Sequence, residues 1–213
     1  MKTKREIIYS IIEFVSGFHV TDDSPYDEQL IGDKVDDVRA ILIKQQHREN
    51  KNVDDEFYQM CGVHIENELL ANLDDGINIK RFYVTFPALI TNVGWDNIKY
   101  LGRKTMDGKY NRRSIDGLVA ARGRYWTRRT TDYSVVSATR AIIRNEDTAE
   151  NIIILGLFKS PSTVPGYSDN DPYPVPDSYK LEMIVKQDIA AALGVMPDEI
   201  NDARHNAEQN RMR

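Results

Sequence analysis

Residues 54–69, DDEFYQMCGVHIENEL, hold the change of period on which the fold turns. Upstream of them apolar residues recur every three or four positions, as along one side of a helix. From Cys61 the pattern changes. GVHIENEL alternates, with Val63, Ile65 and Leu69 set against His64, Glu66 and Glu68, as a half-exposed strand does. A short helix over residues 54–60, capped by Asp54, is predicted to end the helical part.

Upstream, a first helix is predicted over residues 3–18. Its apolar stripe is Ile7, Ile8, Ile11, Ile12, Val15 and Phe18, and Gly17 loosens its end. A second is predicted over 25–47. Ser24 suits the N-cap, Pro25 the first helical position and Asp27 the first turn, while Lys44, His47 and Arg48 suit the negative end of the helix dipole. Its stripe is Leu30, Ile31, Val35, Val38, Ile41 and Leu42. The two helices are expected to form an antiparallel hairpin.

Downstream, short strands follow. INIKRFYVTF (77–86) is β-branched and aromatic and stops at Pro87; WDNIKYLGR (95–103) reads as a strand and MDGKY (106–110) as a turn. RRSIDGLVAARGR (112–124) reads as one short helix capped by Ser114. TDYSVVSATRAIIRN (131–145) reads as a hairpin and ENIIILGLFKSP (150–161) as a buried strand. A loop with five prolines, SPSTVPGYSDNDPYPVP (160–176), leads into a last amphipathic helix. Tyr179, Met183, Ile184, Ile189, Ala190 and Leu193 keep helical spacing there, and Gly194 ends it. The stretch from Pro197 is almost wholly polar and would fray alone in water. The expectation is an α+β fold. An N-terminal helical part (1–61) joins the linker, C-terminal helix and tail (161–213) in one helical domain, with an antiparallel β-rich insertion at 62–160.

At 213 residues the chain can bury a sizeable core. Its 41% hydrophobic and 29% charged composition is that of an ordinary globular protein. One cysteine, Cys61, excludes an internal disulfide framework and fits a reducing compartment. The N-terminus lacks the uninterrupted apolar run of a signal peptide, and no apolar run is long enough to span a bilayer. Charge is uneven. Residues 99–144 hold twelve Lys or Arg against three Asp, a formal +9, while the remainder carries −14 to give −5 overall. Such asymmetry points to a surface for an acidic partner, or to a solvated strand face.

Catalytic constellations are absent. The histidines at 19, 47, 64 and 205 are scattered, and no nucleophile elbow, P-loop or zinc-protease motif occurs. Cys61 and His64 have ligand-like spacing but form only half a zinc site. The Asp-Asp pairs at 22–23, 36–37, 54–55 and 74–75 suit caps and exposed faces. In ARGRYWTRRTTDY (121–133), Arg122, Arg124, Arg128 and Arg129 surround Tyr125 and Trp126. That mix suits a nucleic-acid backbone with stacked bases, a protein interface, or a hairpin with solvated arginines.

The order of features resembles the tail-adaptor, or head-to-tail connector, proteins of short-tailed bacteriophages. Within those it looks most like the ring proteins of crAss-like phages. The resemblance lies in the Asp-Asp-Ser turn and long helix with central Arg39 (21–59), in CGVHIENEL (61–69), in ENIIILGLFKSP (150–161), and in YPVPDSYKLEMIVKQDIAAALGVMPDEINDARHNAEQN (173–210). It implies a non-enzymatic virion protein at the portal vertex, made in the host cytoplasm, with no cofactor, metal or membrane partner. About twelve copies would ring the exit channel, between the portal protein and the next tail or ring protein. Double-stranded DNA would pass through without sequence-specific contact. The C-terminal helix and tail would meet the portal or a neighbour through Tyr179, Met183, Ile184, Met196, Ile200, Arg204 and Arg211. The basic aromatic surface, Arg122, Arg124, Tyr125, Trp126, Arg128 and Arg129, would contact a subunit, a tail protein or DNA.

Overall fold

The computed structural model describes residues 1–17, 27–50, 52–71, 78–106, 108–121, 130–144 and 151–193. Among these the chain is α+β, with four α-helices and a curled seven-stranded sheet. It separates into two compact units: Met1–Glu49 with Ser168–Arg213, and Asn50–Tyr167.

In the helical unit, α1 (Lys4–Ser16) opens on a capping box. The Glu6 N–H donates to Thr3 Oγ1 at 3.2 Å, and the Thr3 N–H donates to Glu6 Oε2 at 2.9 Å. Ile7, Ile8, Ile11 and Val15 are buried, as their spacing predicts. Phe18 lies outside the described residues. Helix α2 (Glu28–Asn50) starts three positions later than its sequence signals suggest. Its cap is Asp27, whose Oδ1 accepts the Leu30 N–H at 2.7 Å; Ser24 and Pro25 lie outside the described residues. Ile31, Val35, Val38, Leu42 and Ile43 are buried, but Leu30 and Ile41, assigned by spacing to the same stripe, are 44% and 58% exposed. Gly32 of α2 lies against Ile8 of α1, where a Cβ would stand in ordinary contact, 3.4 Å from Ile8 Cδ1.

Helix α4 (Ser178–Ala192) is capped by Asp177, which accepts the Lys180 N–H at 2.9 Å. Its buried side is Leu181, Val185, Ile189 and Ala190, whereas Tyr179 is 63% exposed. Of the stripe expected from spacing, Ile189 and Ala190 are buried, Met183, Ile184 and Leu193 are half-buried and Tyr179 lies outside, so the packed side is turned toward Leu181 and Val185. Glu182, which meets Lys2 and Ser10, turns with that side.

In the β unit, β1 (Gln59–Ala71) is the hinge of the sheet. Its first half, Gln59–His64, pairs with β7 (Asn151–Gly156), and its second half, Ile65–Ala71, pairs with β2 (Asn78–Thr85). The remaining strands are β3 (Ile98–Arg103), β4 (Asn111–Arg112), β5 (Asp132–Ser137) and β6 (Arg140–Arg144), in the order β3-β7-β1-β2-β6-β5-β4. Pairing is antiparallel except for β4 with β5. Alternate residues from both halves of the sheet close on one core, which includes Cys61, Val63, Ile65, Val84, Leu101, Ile143 and Ile154. Each such aliphatic side chain contributes roughly 1.5–3 kcal/mol on leaving water.

Two local readings change. Residues 55–57 form a single 3₁₀ turn rather than a helix reaching residue 60, and the Asp54 side chain makes no cap bond to it. Residues 94–97 form another 3₁₀ turn, so Trp95 precedes β3 instead of lying in it. Asn92 and Gly94 supply the left-handed backbone there, with φ of 68° and 59°. The turn after β3 presses against Gly102, where a Cβ would meet the Gly108 carbonyl oxygen at 2.0 Å. Helix α3 (Ile115–Ala121) and its Ser114 cap stand as expected, with Ser114 Oγ accepting the Gly117 N–H at 3.1 Å.

Candidate functional site

The proline-rich approach to α4 is fixed by charged side chains inside the helical unit. Arg39, at the middle of α2, is fully buried and donates from Nε to the Pro174 carbonyl at 2.8 Å. Buried Tyr173 donates its hydroxyl to Asp36 Oδ1 at 2.7 Å, and the other Asp36 oxygen pairs with Lys4 Nζ at 3.1 Å. The backbone joins in: the Tyr173 N–H donates to the Lys2 carbonyl at 3.0 Å, and Thr3 bridges Pro172. Prolines at 172, 174 and 176 hold φ and cannot donate, so hydrogen bonds to this segment fall on the residues between them and on carbonyls. On α4, Glu182 is 4% exposed. It pairs with Lys2 Nζ at 2.6 Å and accepts from Ser10 Oγ at 3.1 Å, while Lys186 Nζ donates to Ser10 at 2.8 Å. That network turns the Glu182 side of α4 inward and leaves Tyr179 outside.

In the β unit, Asp132 is wholly buried. It meets Arg113 Nε at 3.0 Å and Arg144 Nη2 at 2.5 Å. Asp132 begins β5, Arg144 ends β6 and Arg113 follows β4, so one carboxylate ties three adjacent strands. Neither cluster was singled out from the sequence. A signal existed for Arg39, which lies between Val35, Val38 and Leu42 on the buried side of α2. For Asp132 no local signal existed, because its partners come from other strands.

The β unit also carries an open cleft of about 630 Å³, with Tyr58, Trp95, Lys109, Arg112 and Tyr133 among its walls. Trp95 is 59% exposed. Arg112 backs it: its guanidinium lies 5.2 Å from the indole centroid, and Nη1 donates to the Trp95 carbonyl at 2.6 Å and to Asn97 Oδ1 at 2.7 Å. Burial holds the Arg112 guanidinium below its ordinary pKa. Lys99 pairs with Asp55 at the rim, and the Tyr58 hydroxyl donates to the Asp96 carbonyl at 2.8 Å. Arg112 and Trp95 thus form an arginine–tryptophan pair among the described residues, outside the segment 122–129.

Burial pushes the phenols of Tyr58 and Tyr133 up to about 12, with Asp96 and Asp55 adding to the shift at Tyr58 and Arg112 opposing it at Tyr133. The folded values lie above the free value of about 10. Their stabilisation is therefore complete below about pH 10 and is lost as pH rises through about 12. For Tyr133, which is 1% exposed, the gap corresponds to roughly 2–3 kcal/mol. A Tyr133→Phe chain should lose part of this alkaline sensitivity. Urea midpoints by tryptophan fluorescence, at about pH 9 and about pH 11, will show it; parallel pH profiles for the two chains would refute it.

Of the residues read as a C-terminal contact surface, Tyr179 is exposed and Met183 and Ile184 are half-buried. Met196, Ile200, Arg204 and Arg211 lie outside the described residues, as do Arg122, Arg124, Tyr125, Trp126, Arg128 and Arg129. Among the described residues no three His, Cys, Asp or Glu side chains are grouped to hold a metal ion, and no helix is long and apolar enough to cross a membrane.

Comparison with known families gives the class: a component of phage tails. Residues 6–211 match the model for phage tail ring protein 2 of crAss-like phages, and the chain belongs to that family. No curated protein matches it.

Proposed function

We propose that this chain is a non-enzymatic structural subunit of a ring in the virion, at the portal vertex. Twelve copies or a similar number connect the portal to the next tail or ring protein and extend the channel through which double-stranded DNA passes. The helical hairpin and C-terminal helix act as one body, with the β-rich part inserted between them. The observation that carries this reading is the family match, which runs from α1 to the polar C-terminal stretch and so takes in both units.

Two features support it. A ring of identical subunits joins head to tail and needs two unlike faces. The +9 and −14 portions of the chain suit that, since complementary charge sets register and suppresses wrong pairings. The buried Arg39 and Asp36 contacts also hold residues 172–176 firmly, so α4 starts in a set direction, with Tyr179 on its outer side. In this reading Tyr179, Met183 and Ile184, with Met196, Ile200, Arg204 and Arg211 beyond, meet the portal or a neighbouring subunit. The surface from Arg122 to Arg129 meets a subunit, a tail protein or the DNA.

Native mass spectrometry and negative-stain imaging of the chain, alone and mixed with its portal, test the reading. A ring on the portal is the expected result. A chain that remains monomeric in both conditions, at any concentration, sinks it. Deleting the residues after Leu193 should then abolish portal binding while leaving the fold intact.

A further inference from the structure

Among the described residues, each unit exposes a feature that packing within that unit leaves open. On α2, Leu30, Asp33, Asp37 and Ile41 follow one another at intervals of three and four, so they share one outer side of the helix. Asp33 and Asp37 are exposed, as are the two flanking aliphatic side chains, at 44% and 58%. Lys34, on the same side, leans toward Asp188 at 3.5 Å, which leaves the stripe acidic with an apolar residue at each end. A stripe of this kind is the ligand half of a helix-in-groove contact, in which anchors at helical spacing enter a pocket.

The cleft of the β unit is lined by Lys99, Lys109 and Arg112 against Asp55 and Asp96, a formal +1. Its exposed Trp95 is held from behind by Arg112, and the exposed Lys109 stands on its wall. Asp55 at the rim is met by Lys99. A volume of about 630 Å³ accepts an aliphatic side chain or two with their neighbours. Tryptophan and arginine are the residues on which interface energy concentrates. The cleft draws Lys99, Lys109 and Arg112 from the +9 segment, whereas the stripe belongs to the −14 remainder. Unlike, complementary faces on one chain are what a head-to-tail contact requires.

We propose that the α2 stripe of one copy, Leu30–Asp33–Asp37–Ile41, seats on the Trp95–Lys109–Arg112 cleft of an adjacent copy of this chain. The inference rests on the ring reading and names the contact between its subunits. Leu30 or Ile41 packs on the indole, and Asp33 and Asp37 face Lys109 and Arg112.

Two full-length variants test it, W95A/K109E and D33K/D37K, followed by native mass spectrometry and sedimentation with and without the portal. Each should stay monomeric where the wild type assembles, with self-association weakened about 30-fold or more. Because every contact takes one cleft and one stripe, an equimolar mixture of the two should associate where neither does alone, through the intact stripe of one and the intact cleft of the other. If both variants close rings as the wild type does, the contact is overturned and the ring reading stands. If the wild type itself never assembles, the ring reading falls and takes the contact with it. Circular dichroism checks that each variant is folded; for one that is not, K109E or D37K alone replaces it, with the same expected outcome.

Discussion

Asp132→Ala is expected to lower the stability of the β unit by about 3–4 kcal/mol, among the larger effects of a single substitution. The carboxylate is 0% exposed and lies within 3.0 Å of two guanidinium groups. Removing it leaves Arg144, 14% exposed, charged and without this counter-ion in a poorly hydrated place. Arg113 is 35% exposed, so water offsets part of its loss, which keeps the estimate below the top of the range for buried pairs. Asp132→Asn keeps an acceptor and should cost less. Both tryptophans, Trp95 and Trp126, fall within Asn50–Tyr167, so fluorescence during urea unfolding reports on this unit. The internal control is Asp55→Ala. Its pair with Lys99 is 79% and 43% exposed, and its loss should change stability by no more than about 0.5–1 kcal/mol. Equal effects at Asp132 and Asp55 would show that burial is not what gives Asp132 its weight.

Arg39→Ala should cost the helical unit about 3 kcal/mol. A large, fully buried side chain is lost and leaves a cavity, and the Pro174 carbonyl loses the donor at 2.8 Å. Relief from burying a charge returns part of this, so the loss stays below the sum of the two effects. Arg39→Met restores most of the volume but not the donor, and should recover about half of the loss. Helical ellipticity followed through urea unfolding is the measurement, because α1, α2 and α4 all lie in this unit. A methionine chain as unstable as the alanine chain would assign the whole effect to the hydrogen bond. An alanine chain as stable as the wild type would remove Arg39 from any role in fixing residues 172–176.

Much of the architecture was legible from period alone. The stripe Ile7, Ile8, Ile11 and Val15 faces inward, and the strand pattern at Val63 and Ile65 alternates as read. The hairpin at 131–145 and the Ser114 cap have short-range causes, turn and cap chemistry, and were readable for that reason. What escaped depends on partners distant in the chain. Helix α4 has two apolar sides. The choice between Leu181–Val185–Ile189 and Tyr179–Met183 follows from Glu182 meeting Lys2 and Ser10, which no window around α4 contains. Asp27, read as a first-turn residue, is the cap of α2 in place of Ser24, because both side chains can cap and they stand only three residues apart. The Trp95 cleft was invisible because a strand pattern hid a 3₁₀ turn, whose left-handed residues, Asn92 and Gly94, lift the indole out of the ladder. The segment read as the basic aromatic surface lies outside the described residues.

The Asp132 knot has a consequence for how the chain tolerates change. Arg113 stands where the chain leaves the sheet toward α3, and Asp132 where it comes back, so the ion pair fastens the two ends of residues 114–131 together. Closing a loop at its base makes the sheet nearly indifferent to its length, since each doubling adds only about 0.6 kcal/mol of chain entropy. The excursion is thus a cassette on a fixed mount. Changes of length between α3 and β5 should leave β4, β5 and β6 in register, provided that the three charges at its base are left in place.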